Sequence, residues 1–212
     1  MKYALTSLLM TGFILLGSFM PLSYRETVTP AIPSPLASYS PMWNDAKYLK
    51  CNTATKAPYL TPAEKEVIYV LNLVRMDPAL FANTVLPKYP VTHSPYYESL
   101  LVKLRTIKPL GALAPDSLCF VGAKCHAVNS GIEGYVGHER GTQECRDKWY
   151  FNGECCDYGH DKALDIVLSL LIDDGVPSLG HRNICLSKYV KLGVSIQPHK
   201  LYRYNAVLDF HY

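Results

Sequence analysis

The sequence predicts one α+β domain, in which layers of helices and strands enclose a single core. Helical apolar patterns come first in the chain, and two strand-like runs, "YVKLGVSI" and "YRYNAVLDF", are clustered late. This order of elements is typical of the α+β class. The length of 212 residues is sufficient for one domain with a substantial core and short for two.

The first 60 residues are predicted to precede that domain. Lys2 is followed by an uncharged, mostly apolar run from Ala4 to Met20. This layout predicts that residues 1–23 are a secretory signal peptide or, given the length of the run, an uncleaved membrane anchor. Residues 24–60 are rich in Pro, Ser, Thr and Tyr, which favours a linker or a lightly tethered arm. The protein is therefore expected to be secreted or extracytoplasmic, with membrane contact only through an uncleaved N-terminal segment.

Charge and cysteine content restrict the partners and the redox state. The formal charge is +3 and the basic residues are scattered singly, so no nucleic acid is expected as a partner. Seven cysteines in an exported chain predict disulfide bonds, and the odd number leaves one thiol free or paired with another chain. Cys119 and Cys125 on one helix would lie about 9 Å apart, too far to bridge. Cys155 and Cys156 in extended chain would face opposite sides and take different partners.

Good capping residues mark the first two helices. Thr61 is a suitable N-cap, Pro62 suits the first helical position, and Glu64 completes a capping box. Asp77 and Pro78 repeat the pattern of cap and proline, which indicates a second helix or a sharp bend. The first helix is expected to bury an apolar stripe of Val67, Val70, Leu71 and Val74.

The remaining elements follow in order. "ESLLVKLRTI" predicts a short helix, and Asp116 can cap the next one, on which His126 is expected to have a packing or supporting role. Residues 131–159 are rich in glycine and cysteine and favour irregular structure. "DKALDIVLSLLIDD" predicts the last long helix, and Pro198 and His199 predict a turn between the two strands. The inner side of the helix after Asp116 is expected to hold Leu118, Val121, Gly122, Cys125 and Val128.

Two aspartates end the last long helix, although acids are unfavourable near a helix C-terminus. On a helical wheel, Asp173 continues a polar stripe and Asp174 continues the stripe that faces the core. Asp173 is therefore expected to face water. Asp174 is expected to face the core, where a carboxylate has to be paired, hydrogen-bonded or protonated.

Three further polar residues stand close to glycines or to a short loop. His138 lies in "GYVGHERG", Glu154 lies in "NGECCDYG", and His181 follows Asp174 after a loop that can fold back over the helix end. Two histidines and two carboxylates can form a divalent-metal site, such as a zinc site, or an acid/base cluster. Arg182 is expected to anchor the loop through carbonyl groups or a carboxylate. Spacing alone does not show that the four side chains meet.

These segments resemble the signatures of a known family. "GYVGHERG", "GECCDYG" and "LLIDDGVPSLGHRNICLSKYVKLGVSI" are similar to motifs of the CAP superfamily, which comprises cysteine-rich secretory proteins, antigen 5 and pathogenesis-related proteins and is also called the SCP domain family. "LNLVRMDPALFA" resembles the first-helix motif of its microbial branch. The resemblance covers residues 61–212. It implies a three-layer α-β-α sandwich whose central cleft carries a His/Glu/Glu/His tetrad, here His138, Glu154, Asp174 and His181, with the two histidines as metal ligands.

The chain departs from the family pattern at two positions. Cys155 replaces the asparagine of the usual Gly-Glu-Asn, so an amide that often supports the cleft is lost. Asp174 replaces the second glutamate and is shorter by one methylene, which reduces its reach across the cleft.

The resemblance favours a secreted binding or interaction module over an enzyme. It implies that the cleft binds a divalent cation such as zinc or a small ligand, and that sterol, lipid or an extracellular protein is the partner. The alternative is an extracellular, protease-like hydrolase in which Glu154 or a metal-bound hydroxide activates water and a histidine such as His181 moves the proton. A third hypothesis is a cell-surface structural protein in which the tetrad is only a polar core network.

Overall fold

A computed structural model of the protein describes residues 32–212; the predicted signal peptide, residues 1–23, lies outside this range. The described part combines helices with one mixed sheet, in agreement with the predicted α+β class. Its helices are α1 (Ala46–Leu49), α2 (Pro62–Met76), α3 (Pro78–Thr84), α4 (Pro95–Thr106), α5 (Ser117–Glu133), α6 (Gln143–Asp147), α7 (Ala163–Ile172) and α8 (Gly180–Cys185). Its strands are β1 (Ala114–Pro115), β2 (Gly153–Tyr158), β3 (Lys191–His199) and β4 (Arg203–His211).

The strands form one sheet in the order β1-β3-β4-β2. β1 is parallel to β3, and the other two pairs are antiparallel, so that Glu154 on β2 lies opposite Asp209 on β4. The predicted turn at Pro198 and His199 is wrong, because both residues belong to β3 and the turn follows them. Beyond Leu192 β3 pairs with β4 alone and is an edge strand, where a proline is tolerated.

Helices cover both faces of the sheet. α5 packs on one face so closely that a Cβ added to Gly193 would lie 2.1 Å from the backbone nitrogen of Phe120. Cys156 points to this face and packs against α5. Cys155 points to the opposite face, where it joins the main core together with residues of α2 and α7. The two adjacent cysteines therefore face opposite sides, as predicted. The strand that carries them was missed, because it lies in the segment expected to be irregular.

The predicted starts of three helices are confirmed. Thr61 and Glu64 form the capping box of α2, and Asp77 and Asp116 cap α3 and α5 through their side chains. Each cap accepts a hydrogen bond from a backbone N–H that has no partner inside the helix. The expected apolar stripe of α2 is buried at all four positions, Val67, Val70, Leu71 and Val74.

The segment before α2 belongs to the domain, so the prediction of a lightly tethered arm is wrong for residues 34–60. Leu36, Trp43 and Tyr48 are buried in the main core. The indole N–H of Trp43 donates to the hydroxyl of Thr84 at 3.1 Å. These anchors lie on turns and one-turn helices rather than on a long helix, which is why the segment shows no apolar periodicity.

The predicted inner side of α5 is wrong in part. Leu118 and Val121 are exposed, whereas Gly122 is buried as expected. Other small residues of the helix are buried beside it, and their burial was not predicted. A Cβ added to Gly122 would lie 2.9 Å from an oxygen of Asp209. Because α5 lies so close to the sheet at this point, only small side chains fit between them. A helical wheel that follows the large apolar residues therefore assigns the wrong side of α5 to the core.

One disulfide, Cys125–Cys145, joins α5 to α6. The other five cysteines are buried thiols, which is more than the single unpaired thiol expected. Cys119 and Cys125 are not bonded to each other, as predicted. No helix within residues 32–212 is both long enough and apolar enough to cross a membrane.

Candidate functional site

His138 and Glu154 form one half of the site. His138 lies in the loop between α5 and α6, and Glu154 lies on β2. Nδ1 of His138 is 2.9 Å from Oε1 of Glu154. The carboxylate is buried, whereas the imidazole is 57% exposed. A neutral ring that donates from Nδ1 to a carboxylate has its lone pair on Nε2.

Arg140 holds the other side of Glu154, a contact that the motifs did not indicate. Its guanidinium is hydrogen-bonded to Oε2 of Glu154, lies 3.1 Å from Oδ2 of Asp209 and donates to the carbonyl of Gly122 at 2.7 Å. All three charged side chains are buried. The available signal was an acid inside the apolar strand "AVLDF", since a buried carboxylate requires a partner.

Burial and neighbouring charges shift the pKa values of this cluster in different directions. Burial raises the pKa of Glu154, but the hydrogen bond from His138 and the charge of Arg140 outweigh it and leave that pKa below its ordinary value. Burial, reinforced by the charge of Glu154, raises the pKa of Asp209 well above its ordinary value. The hydrogen bond to Glu154 raises the pKa of His138. The cluster therefore keeps Glu154 ionised and favours a proton on Asp209 and on His138.

His181 pairs with Asp173 and not with Asp174. Its Nδ1 is 2.7 Å from Oδ1 of Asp173, whose other oxygen accepts hydrogen bonds from the backbone N–H groups of His181 and Arg182. Asp173 is 3% exposed and Asp174 is exposed, so the predicted orientations of the two aspartates are wrong. The wheel fails because α7 ends at Ile172 and Asp173 adopts a left-handed conformation with φ 57°.

The two imidazoles lie side by side. The ring centroids of His138 and His181 are 5.9 Å apart, with the ring planes inclined by 41°. A zinc ion about 2.1 Å from Nε2 would lie about 3.2 Å from a ring centroid, so two rings that share an ion have centroids about 5 to 6 Å apart. The structure thus brings His138, Glu154 and His181 together and places Asp173, rather than Asp174, as the second acid.

A cavity of about 450 Å³ opens beside His181. Its lining includes Val91, Leu168 and Ile172 and contains no lysine or arginine among the described residues. A second cavity, of about 540 Å³, is lined by His138, Glu139, Arg140, Arg146 and Trp149. The histidine pair therefore lies next to one acidic and one basic cavity. The acids of the first cavity are Asp157, Asp165, Asp173 and Asp174.

A further His–carboxylate pair lines the first cavity and was not expected from the sequence. Nδ1 of His160 is 3.0 Å and 3.1 Å from the two carboxylate oxygens of Asp157. This hydrogen bond raises the pKa of His160. The hydroxyl of Tyr89 donates to Asp165 at 2.7 Å in the same cavity. Three of the four acids, Asp157, Asp165 and Asp173, are thus hydrogen-bonded to donors that belong to the cavity wall itself.

Buried arginines fix helix α8, which carries His181. Arg182 donates to backbone carbonyls at the end of α7, as expected. Arg75 of α2 donates to the carbonyl of the last residue of α8 and to two carbonyls that follow it. Because each guanidinium satisfies several carbonyls at once, α8 has little freedom to shift relative to α2 and α7. The carbonyl acceptors are those of Leu171, Ile172, Cys185, Ser187 and Tyr189.

No protein-family model, curated protein or solved structure matches this chain. Membership of the CAP superfamily therefore stays a prediction from the motifs. The functional hypotheses below depend on the contacts that the side chains of this chain make with one another.

Proposed function

We propose that the protein is a secreted CAP-domain binding module that binds a divalent metal ion, such as zinc, at His138 and His181. The motif resemblance and the packing of helices on both faces of the sheet support the family and its three-layer α-β-α sandwich. In this proposal Glu154 and Asp173 are the acids of the tetrad, and Asp174 is an exposed residue at the rim of the cavity.

Two observations together carry the proposal. Each imidazole donates from Nδ1 to a buried carboxylate, and the two rings lie next to each other. Metal-binding histidines commonly make this second hydrogen bond, which fixes the tautomer and the ring orientation and increases ligand basicity. In their neutral forms His138 and His181 therefore both present an Nε2 lone pair. A divalent ion bound there would act as a Lewis acid and would orient a ligand in the cleft.

The ligand that best matches the cavity beside His181 is small and polar. Its lining carries four aspartates and two histidines but no lysine or arginine among the described residues, which suits a neutral or cationic ligand. A sterol or lipid, which the resemblance implies, would leave these carboxylates desolvated against an apolar molecule. We therefore place a polar ligand before a sterol or lipid for this cavity.

Calorimetric titration with zinc tests the metal site. We expect the double variant His138→Ala/His181→Ala to bind one zinc ion fewer per chain than the wild type. His93→Ala is the matched control, because His93 is an exposed histidine that pairs with the exposed Glu98 and stacks on Tyr97, outside the histidine pair. An unchanged stoichiometry in the double variant would overturn the proposal and favour a purely structural role for the cluster.

An extracellular hydrolase is the second candidate, and the His181–Asp173 pair at the cavity edge favours it. A partly exposed histidine oriented by a buried carboxylate can take up and deliver a proton. Glu154 is less suited to be the base, because both of its oxygens already accept hydrogen bonds. Turnover of any substrate in a broad peptide and ester panel, lost in His181→Ala and kept in His93→Ala, would favour the hydrolase.

A further inference from the structure

We propose a second divalent-metal site, formed by His126, Glu154 and Cys156 on the inner side of Glu154. One ligand atom from each of these residues lies within 4.8 Å of the other two, and all three residues are buried. The proposal goes beyond the function proposed above and does not rest on it, because neither His126 nor Cys156 belongs to the histidine pair.

Local structure explains why the three side chains meet. Glu154 and Cys156 are two residues apart on β2, so they point to the same face of the sheet. That face is covered by α5, and His126 lies on the buried side of this helix. Cys156 packs directly against α5 residues. Two donors from one strand and one from the facing helix thus converge between two rigid elements.

His126 has an unsatisfied nitrogen that a metal ion would occupy. The side chain is fully buried, its Nε2 is 3.0 Å from the carbonyl oxygen of Gly137, and its Nδ1 has no hydrogen-bond partner. Since a carbonyl can only accept, Nε2 carries the proton and Nδ1 carries the lone pair. A ring that donates one N–H to a backbone carbonyl and offers its other nitrogen is typical of metal-bound histidines.

The donor set indicates the class of ion. A thiolate, an imidazole and a carboxylate together favour zinc or another divalent ion of similar softness. Ligand atoms around a tetrahedral zinc ion are about 3.3 to 3.8 Å apart, so donors within 4.8 Å of one another need small side-chain shifts to share one ion. Glu154 can still take part, because a carboxylate has about four lone-pair sites and His138 and Arg140 use two of them.

Charge balance in the buried cluster favours the same ion. Metal binding removes the thiol proton of Cys156. The carboxylates of Glu154 and Asp209 and the thiolate then carry three negative charges, which Arg140 and a divalent ion neutralise. Without the ion, one arginine faces both carboxyl groups.

Cobalt(II) distinguishes the two sites, because the inner site alone contains sulfur. The full chain, with its disulfide intact and under argon, would be titrated with Co²⁺ and followed by absorption. We expect a thiolate-to-cobalt charge-transfer band in the near ultraviolet, unchanged in His181→Ala. An ion bound only at the histidine pair would give visible d–d bands without the charge-transfer band, which would overturn the inner site and leave the outer one standing.

Substitution of the donors completes the test. We expect the charge-transfer band to be lost in Cys156→Ser and in His126→Gln, and kept in Cys51→Ser, which removes a buried thiol elsewhere in the core. Far-ultraviolet circular dichroism checks that each variant is folded, and His126→Gln carries the test if Cys156→Ser does not fold. A band that persists in Cys156→Ser, or is absent from the wild type, overturns the proposal.

Discussion

At the residue scale, Asp173 and Asp174 are chemically identical neighbours whose surroundings differ completely. The left-handed backbone of Asp173 lets one oxygen accept from the His181 ring and the other from two backbone N–H groups. Asp174 lies outside this turn and is exposed. The pair therefore provides an internal comparison for the proposed metal site.

Asp173→Asn should weaken zinc binding at the histidine pair by about 10- to 100-fold, the usual effect of losing the carboxylate behind a metal-binding imidazole. Asparagine tolerates the left-handed conformation, so the backbone turn is kept. Asp174→Asn is the matched control and should leave the affinity unchanged. Competition against a chromogenic chelator measures both. Equal affinities in the two variants would contradict the role given to Asp173.

Arg140 is the cation on which the buried cluster depends. Arg140→Met leaves the carboxylates of Glu154 and Asp209 buried without their partner, and removal of one side of a buried pair costs about 3–5 kcal/mol of the free energy of unfolding. Adding Asp209→Asn to this variant should recover part of the loss, because one of the two adjacent buried carboxyl groups is removed. Urea unfolding of the three proteins checks the prediction. If Arg140→Met were as stable as the wild type, the prediction would be wrong.

His138 should make stability depend on pH. Its pKa is raised from 6.5 by the hydrogen bond to Glu154, so the folded state binds this proton more tightly than the unfolded chain. The stabilisation is complete at pH values below 6.5 and is lost as the pH rises through the raised pKa. The difference in free energy of unfolding between wild type and His138→Gln should therefore shrink with rising pH. His160 is present in both proteins, so its contribution to the pH dependence cancels in the difference. A difference that grows with pH would show that His138 is not the group responsible.

At the scale of elements, local signals were sufficient wherever a cap defines a helix. Thr61, Asp77 and Asp116 could be identified because each cap bonds to its own first turn. β2 could not, because helices cover both faces of the sheet and all but one of its six residues are buried, which removes the alternation that marks a strand. The prediction for α5 assigned large apolar residues such as Leu118 and Val121 to the inner side. Both are exposed, because the closest contacts with the sheet leave room only for small residues.

The contact between α5 and β3 is tight enough to test with one methyl group. A Cβ at Gly193 would lie 2.1 Å from the nitrogen of Phe120, whereas one at Gly111 meets nothing within 4 Å. Gly193→Ala should lower the free energy of unfolding by about 1–3 kcal/mol or more, because both backbones have to move. Gly111→Ala should change it little. Thermal unfolding of both variants decides, and similar melting temperatures would argue against the close packing.

At the scale of the whole molecule, the motifs identified the histidines and Glu154, but not their supports. Arg140 and Asp209 come from a loop and from the last strand, and their contact depends on the pairing of β2 with β4. His126 was expected only as a packing or supporting residue, since nothing in the sequence shows that its Nδ1 lacks a partner. Contacts between distant segments are set by tertiary packing, which spacing along the chain does not report.

The segment before α2 should contribute to global stability. Trp43 is fully buried, and its ring centroid lies 4.8 Å from that of Tyr48. Trp43→Ala should lower the free energy of unfolding by about 3–5 kcal/mol, as for other large buried side chains. Its neighbour Met42 is 58% exposed, so Met42→Ala is a matched control with little expected effect. Urea unfolding measures the stability of both variants. Equal stabilities would indicate that this segment is only loosely attached to the domain.

The position of Asp209 has a consequence for the order of events in synthesis. Asp209 contacts Arg140, Arg140 contacts Glu154, and Glu154 holds His138. A ribosome releases β4 after all the other members of this chain of contacts, so the Arg140–Asp209 contact that supports Glu154 and His138 forms only when β4 has docked. If His138 and His181 bind an ion as proposed, a growing polypeptide cannot complete that site before β4 has docked. In a secreted protein, loading would take place after translocation, from whatever metal the receiving compartment supplies.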